Sequence, residues 1–142
     1  FMSNDCIFCK IVAGEIPSAK VYEDEDVLAF LDISQVSKGH TLVIPKKHSR
    51  NLYDTSPEVA SKLFAAVPKI ANALKDTYNP VGLNLLNNNE AEANQSVFHL
   101  HLHLIPKYKV GEGFDVVWET NADKYSGEDL QKIAEEIRSS IK

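Results

Sequence analysis

Phe98-His99-Leu100-His101-Leu102-His103-Leu104-Ile105 alternates histidine with apolar residues. Side chains at i, i+2 and i+4 share one face of a strand, whereas on a helix i and i+2 point about 200° apart. The stretch therefore reads as a strand closed by Pro106. His99, His101 and His103 line one face, and Phe98, Leu100, Leu102 and Leu104 pack into the core on the other. Neighbouring histidine Cα atoms lie ~6.7 Å apart and the outer two ~13 Å apart, a spread that favours divided labour over shared ligation of one ion. The plain alternative is a half-buried strand whose polar side happens to use histidine. Three of the chain's 5 histidines fall in this register, which weighs against it.

Upstream of this strand the pattern predicts several hairpin-like elements. Asp5 is placed to cap a short helix over Cys6 to Ala13, ended by Gly14. Lys20 to Glu23 and Val27 to Leu31 read as strands joined by the acidic turn Asp24-Glu25-Asp26. A loop from Asp32 to Gly39 leads to an apolar strand, His40 to Ile44, stopped by Pro45. Thr55-Ser56-Pro57-Glu58 carries the hydroxyls, proline and glutamate of a helix start. That helix runs to about Tyr78, with Val59, Leu63, Val67, Ile70 and Leu74 on its buried face and a bend expected at Pro68. Gly82 to Asn87 is a further strand, and Asn88 to Gln95 a polar loop. After Pro106, residues 107–142 form a loop containing Gly111 and Gly113, then a helix capped by Ser126 with Leu130, Ile133, Ala134, Ile137 and Ile141 on one face. The expectation is one α+β domain over 1–142, built on an antiparallel sheet of about five strands with two main helices.

Composition excludes several classes. The 142 residues are 44% hydrophobic and 25% charged, with net charge −5. One core is expected, and a phosphate-tracking nucleic-acid binder is not. No apolar run approaches the ~20 residues of a membrane span. Asp5, Glu15 and Glu23 interrupt any signal-peptide pattern, so a cytoplasmic location is expected. Phe1 ahead of Met2 reads as an expression leftover. There is no G-x-x-x-x-G-K-[ST] phosphate loop, and Gly111-Glu112-Gly113 is too short for a dinucleotide motif. Lys46, Lys47 and Arg50 read as a solvated basic cluster. Trp118 either packs at a subunit boundary or covers the core.

Histidine suits attack on phosphorus. Its unperturbed pKa of ~6.5 leaves the neutral ring abundant at pH 7, and a ring nitrogen can displace a leaving group to form a phospho-histidine that water later breaks. Donors are then needed around the phosphoryl oxygens, and Gln95, Ser96 and nearby backbone amides precede the strand.

With Gln95-Ser96-Val97 ahead of it, the three-histidine strand resembles that of the histidine triad family, in particular its nucleotide-binding branch. So do Cys6-Ile7-Phe8-Cys9-Lys10-Ile11, Ala29-Phe30-Leu31-Asp32-Ile33 and Gly39-His40-Thr41-Leu42-Val43-Ile44-Pro45-Lys46-Lys47-His48. The resemblance covers about Cys6 to Pro106. It implies that His101 is the nucleophile, that His103 contacts the α-phosphate, and that Ser96 and the Gln95 amide bind phosphate oxygens or the leaving group. It also implies that Asp32 and Asn88 hold the ribose, that Ile7, Phe8, Ile16, Leu31 and Ile33 line a base pocket, and that His40 orients the reacting groups. The family often places glycines between the asparagine and the glutamine, but this chain has Asn89-Glu90-Ala91-Glu92-Ala93-Asn94. Asn94 can still turn left-handed, keeping its amide in reach of phosphate. Glu90 and Glu92 are expected to repel long polyphosphates.

Cys6-x-x-Cys9 supplies half of a tetrahedral zinc site. His48, after Pro45, and His99, at the end of the row farthest from the phosphate, complete it in the pattern of zinc-bearing relatives. The zinc would be structural, with no open position for water. A redox pair and two inert buried cysteines are the competing readings; the first lacks the preceding strand it needs.

The resemblance thus implies a homodimer whose sheets join, binding a purine nucleotide and needing no organic cofactor or catalytic metal. The expected reaction is hydrolysis of nucleoside phosphoramidates or related nucleoside monophosphate conjugates through a nucleotidyl-histidine. The alternatives are a regulatory nucleotide-binding dimer with incidental turnover, and a nucleotidyl transferase or dinucleoside polyphosphate hydrolase.

Overall fold

The computed structural model describes residues 5–142; Phe1, the expected leftover, lies outside them. The elements are α1 (Ile7–Val12), β1 (Lys20–Glu23), β2 (Val27–Leu31), β3 (Thr41–Pro45), α2 (Pro57–Tyr78), β4 (Gly82–Leu86), β5 (Leu102–Lys107) and α3 (Gly127–Ser140). The strands form one antiparallel sheet in the order β1-β2-β3-β5-β4. This is the expected α+β architecture, with α2 and α3 as its two main helices. Among the described residues, no helix is long and apolar enough to cross a membrane.

Strand alternation splits the core in two. Val27, Ala29, Val43, Leu102 and Leu104 face α2 and meet Leu63, Ala66, Ile70 and Leu74. Leu28, Phe30, Leu42 and Ile44 point the other way and pack with Cys6, Phe8, Cys9 and Ile11 of the α1 segment. In the ladder Leu42 opposes His103 and Val43 opposes Leu102. The leucines of the alternating stretch therefore go to α2 and His103 goes to the α1 side.

Local caps account for the helix boundaries. The Cys6 thiol, not Asp5, caps α1 by accepting from the Cys9 amide at 3.3 Å. Ser56 caps α2, accepting from the Val59 amide, and Pro57 follows at the first turn. Thr55 instead binds the Asn51 carbonyl at 2.7 Å. The helix runs without interruption through Pro68, and Ala66 is buried on the face where Val67 is only half-buried. Gly39 has φ +97°, and a Cβ there would sit 3.0 Å from Leu74 Cδ2, so the turn into β3 needs glycine.

The predicted strand Phe98 to Ile105 is corrected in register. Residues 98–101 are not in the ladder; β5 starts at Leu102 and continues through Pro106. The earlier part is drawn off to another segment. The Leu100 amide donates to the Ser49 carbonyl at 2.9 Å, and the Asn87 side chain donates to the His101 carbonyl at 3.0 Å. Pro106 is tolerated because β3 stops pairing at Leu104, leaving β5 bonded on one side only, opposite Leu83. Phe98, expected in the core, is 36% exposed. The face of α3 that carries Leu130 and Ile137 is exposed on the protomer, as is Trp118, which covers no core.

Candidate functional site

A cavity of about 790 Å³ opens on the α1 side of the sheet. Its apolar end is formed by Ile7, Phe8, Ile16, Phe30, Leu31 and Ile33. Asp32, Ser96, His101 and His103 supply its polar wall. The expected base-pocket residues and four of the expected polar residues are thus brought together from α1, β2, β5 and the loops between them. Ile11, Leu42 and the 17–19 segment also line it; sequence reading missed them because nothing local marks a residue as facing a distant wall.

The imidazoles are locked in complementary tautomers. His101 Nδ1 lies 2.7 Å from the His99 carbonyl and must donate to it, so Nε2 keeps its lone pair. His40 Nδ1 accepts from the Val36 amide at 3.2 Å, so its proton sits on Nε2, 2.9 Å from His103 Nδ1. His103 Nδ1 is then an acceptor, and its Nε2 carries a proton. The pair presents one lone pair, on His101, and one N–H, on His103. Burial holds His101 and His40 below the usual histidine range, and burial together with His101 and His40 pushes His103 down to about 4. All three rings are neutral at pH 7. Phe8 packs edge-on against His101 with centroids 5.2 Å apart, fixing the ring.

Asp32 accepts from the Ser34 amide at 2.8 Å with one oxygen; the other lies 3.6 Å from His40 Nε2. His40 itself is buried behind His103. Asn88, Asn94 and Gln95 stand outside the cavity lining. Asn94 is left-handed at φ 74°, as expected, but its amide donates to the Ala91 carbonyl. The Gln95 amide donates to the Glu90 carbonyl, and its side chain bonds Arg50 O, Val97 O, Asn51 and the Glu90 amide. Gln95 is therefore a strut behind Ser96. Asn88 donates weakly to the Asn94 carbonyl at 3.4 Å.

Glu90 differs most from its expected part. Its carboxylate takes a two-pronged bond from Arg50, at 2.9 Å to each oxygen, and a third from Asn51 at 2.6 Å. Its charge is matched, so the expected repulsion of polyphosphate has no unpaired Glu90 to act through. Arg50, read from sequence as a solvated cation, is the partner; forty residues separate the two and no local signal links them.

On the far side of His99 a second group converges. Cys6 Sγ, Cys9 Sγ, His48 Nδ1 and His99 Nδ1 all lie within 4.8 Å of one another. His99 Nε2 is bonded to the Pro45 carbonyl at 2.7 Å, so Nδ1 is a bare acceptor. His48 Nδ1 lies 3.2 Å from it, and the thiol–imidazole separations are 3.3–3.5 Å. Tetrahedral zinc with bonds of ~2.0–2.3 Å has ligand–ligand edges of about 3.3–3.7 Å, so the group fits that ion. Burial pushes His99 down to about 4, which suits a neutral ligand.

Residues 13–110 match the HIT domain family. The chain is 63% identical over 139 residues to "Protein hit" of Bacillus subtilis, covering 98% of this chain and 96% of that one. It is 42% identical over 137 residues to "Adenosine 5'-monophosphoramidase hnt1" of Schizosaccharomyces pombe, covering 96% and 98%. Among solved structures, a HIT family protein from Bacillus anthracis superposes with TM-score 0.96 at 58% identity, covering 99% of this chain and 100% of that one. A Zn-bound histidine triad family protein from Mycobacterium smegmatis does so with TM-score 0.73 at 36% identity, covering 96% and 98%.

Proposed function

Because the chain belongs to the HIT family, we propose that it is a nucleotidyl hydrolase that cleaves purine nucleoside phosphoramidates or related nucleoside monophosphate conjugates. The observation that carries this reading is the bare Nε2 of His101 on the wall of a cavity that also holds Asp32, Ser96 and His103. The adenosine monophosphoramidase among its relatives points to the same class of bond.

The residues divide the work as follows. The apolar end of the cavity takes the base and Asp32 the ribose, while Asn88, outside the lining, supports the loop through the Asn94 carbonyl. His101 Nε2 bonds to the α-phosphorus as the P–N bond breaks, and the amine leaves with a proton taken from solvent water, which the second step returns. The His99 carbonyl holds the Nδ1 proton and so supports positive charge on the phosphorylated ring. The Nε2–H of His103, oriented by His40, donates to a phosphoryl oxygen. Ser96 and the adjacent backbone, with Asn94 and Gln95 shaping the loop, serve the phosphate and the leaving group. Water then displaces His101 and releases the nucleoside monophosphate.

Zinc fits Cys6, Cys9, His48 and His99, and we assign it a structural place there. With four protein donors, a tetrahedral ion there would have no position left for a reacting water. Such an ion would tie the α1 segment to His48 and to His99, whose carbonyl orients His101.

A homodimer through β4 is part of the same reading. Of the two sheet edges, β1 carries Lys20 and Glu23, whereas β4 exposes Leu83 and Leu85. Charged edges resist pairing and apolar ones invite it.

The test is incubation with adenosine phosphoramidate, following release of adenosine monophosphate and trapping the adduct by mass spectrometry. The adduct is expected on His101, and His101→Ala is expected to lose at least about a thousandfold in turnover. Undiminished turnover in that variant would overturn the nucleophile assignment. Tight nucleotide binding by the unaltered chain without turnover would favour a regulatory binding role.

A further inference from the structure

Glu90 has φ 78° and ψ 154°, a backbone conformation that glycine adopts freely and side chains rarely do. It persists only where the surroundings enforce it. The enforcement is visible in both directions. On the side-chain end, Arg50 Nε and Nη2 grip both carboxylate oxygens and Asn51 Nδ2 adds a third bond. On the backbone end, the Glu90 carbonyl accepts from the Ala93 and Gln95 amides, and its own amide donates to Gln95 Oε1. Asn51 is 1% exposed and binds Glu90 and Gln95 with the same nitrogen. The Gln95 side chain in turn binds the Arg50 and Val97 carbonyls. Ser96 lies between two residues, Gln95 and Val97, that this network holds. The Arg50 guanidinium also rests on the Phe98 ring, 4.3 Å from its centroid, which gives it a seat.

We infer that Arg50 and Glu90 are a positioning pair: a clamp that holds residue 90 in a glycine-like conformation and thereby sets Ser96 at the cavity wall. An exposed ion pair alone is weak. Here it is two-pronged, seated on a ring and joined to a buried amide, and it acts on a strained hinge. The same chemistry explains how this chain supports the loop without any glycine in 88–95. The inference rests on the proposed hydrolase reading for its effect on rate, but not for its effect on the loop.

The experiment is a double-substitution cycle on the full chain with Arg50→Ala, Glu90→Gly and the pair together. With adenosine phosphoramidate as substrate, Arg50→Ala is expected to lower kcat about tenfold while KM changes less than twofold, because Ser96 is displaced without loss of the base pocket. In the Glu90→Gly background the same arginine change should cost less than twofold, since glycine needs no clamp. In parallel, hydrogen exchange of the Gln95 amide should accelerate about tenfold in Arg50→Ala relative to the parent, and by less than twofold when Arg50→Ala is added to Glu90→Gly. Equal losses in both backgrounds would mean that Arg50 acts directly on the substrate, and the clamp would be wrong. Unchanged exchange in Arg50→Ala would overturn it outright. Absence of turnover in the parent chain would remove the hydrolase reading and leave the exchange measurement to decide the clamp.

Discussion

Metal loading should govern the stability of this fold. The four candidate ligand atoms come from α1 and its N-cap residue, the loop after β3 and the segment before β5, so one ion would join three parts of the chain. An ion that binds only the folded state stabilises it by RT ln(1 + [L]/Kd), about 4 kcal/mol when free zinc is a thousandfold above Kd. The unfolding entropy of a 142-residue chain near its midpoint is about 0.3 kcal/mol per degree. The expected rise in Tm on zinc addition to chelator-dialysed protein is therefore about 14 °C. Thermal unfolding with and without free zinc held a thousandfold above Kd measures it, and Cys9→Ser should abolish the rise. Cobalt in place of zinc should give the absorption of a tetrahedral thiolate site. A Tm that ignores zinc, with both thiols titrating freely in the folded chain, would refute the metal reading and return Cys6 and Cys9 to hydrogen-bonded thiols.

Three further outcomes follow from the geometry. Replacing His40 by Phe removes the proton donated to His103 Nδ1, so kcat should fall at least about tenfold with KM little changed, and Gln at position 40 should recover part of it; steady-state kinetics reads both. His103 has a folded pKa of about 4 against an ordinary 6.5, so unfolding takes up a proton between these values and stability is present above pH 6.5 and lost as pH falls toward 4. Its contribution lost between pH 6.5 and pH 5 is about 1.5 kcal/mol, measurable by urea unfolding as the difference between parent and His103→Gln at the two pH values. Leu104→Ala, at a side chain with 0% exposure between the sheet and α2, should cost about 2–5 kcal/mol in the same assay.

Much of the fold was legible because local signals were strong. The hairpin of β1 and β2 follows from two short strand-like stretches, Lys20 to Glu23 and Val27 to Leu31, around Asp24-Glu25-Asp26, and α2 from hydroxyl, proline and spacing. The alternation of 98–105 correctly divided leucines from histidines but overstated the strand, since the 45–49 segment competes for the backbone of 98–101 through the Ser49 carbonyl. Of the site, residue types and spacing marked His101, His103 and Ser96, the resemblance added Asp32, and the cavity wall holds these four. The part played by Gln95 was not legible, because its amide and side chain are consumed by partners that only folding brings near.

By itself, the sequence determined the type and rough place of most elements and which chemistry-bearing side chains the chain holds. Period-two and period-three-to-four patterns are properties of neighbouring residues, and a histidine row with a nearby serine is a matter of composition and spacing. Tertiary structure alone decided which ring nitrogen of His40, His99 and His101 carries the proton, since the answer lies in carbonyls and amides at Pro45, Val36 and His99. It also joined Arg50 to Glu90, converting an apparent loose cation and an apparent repulsive anion into one support. Protonation sites and ion pairs depend on distances of about 3 Å, and such distances between remote residues exist only after the chain has closed on itself.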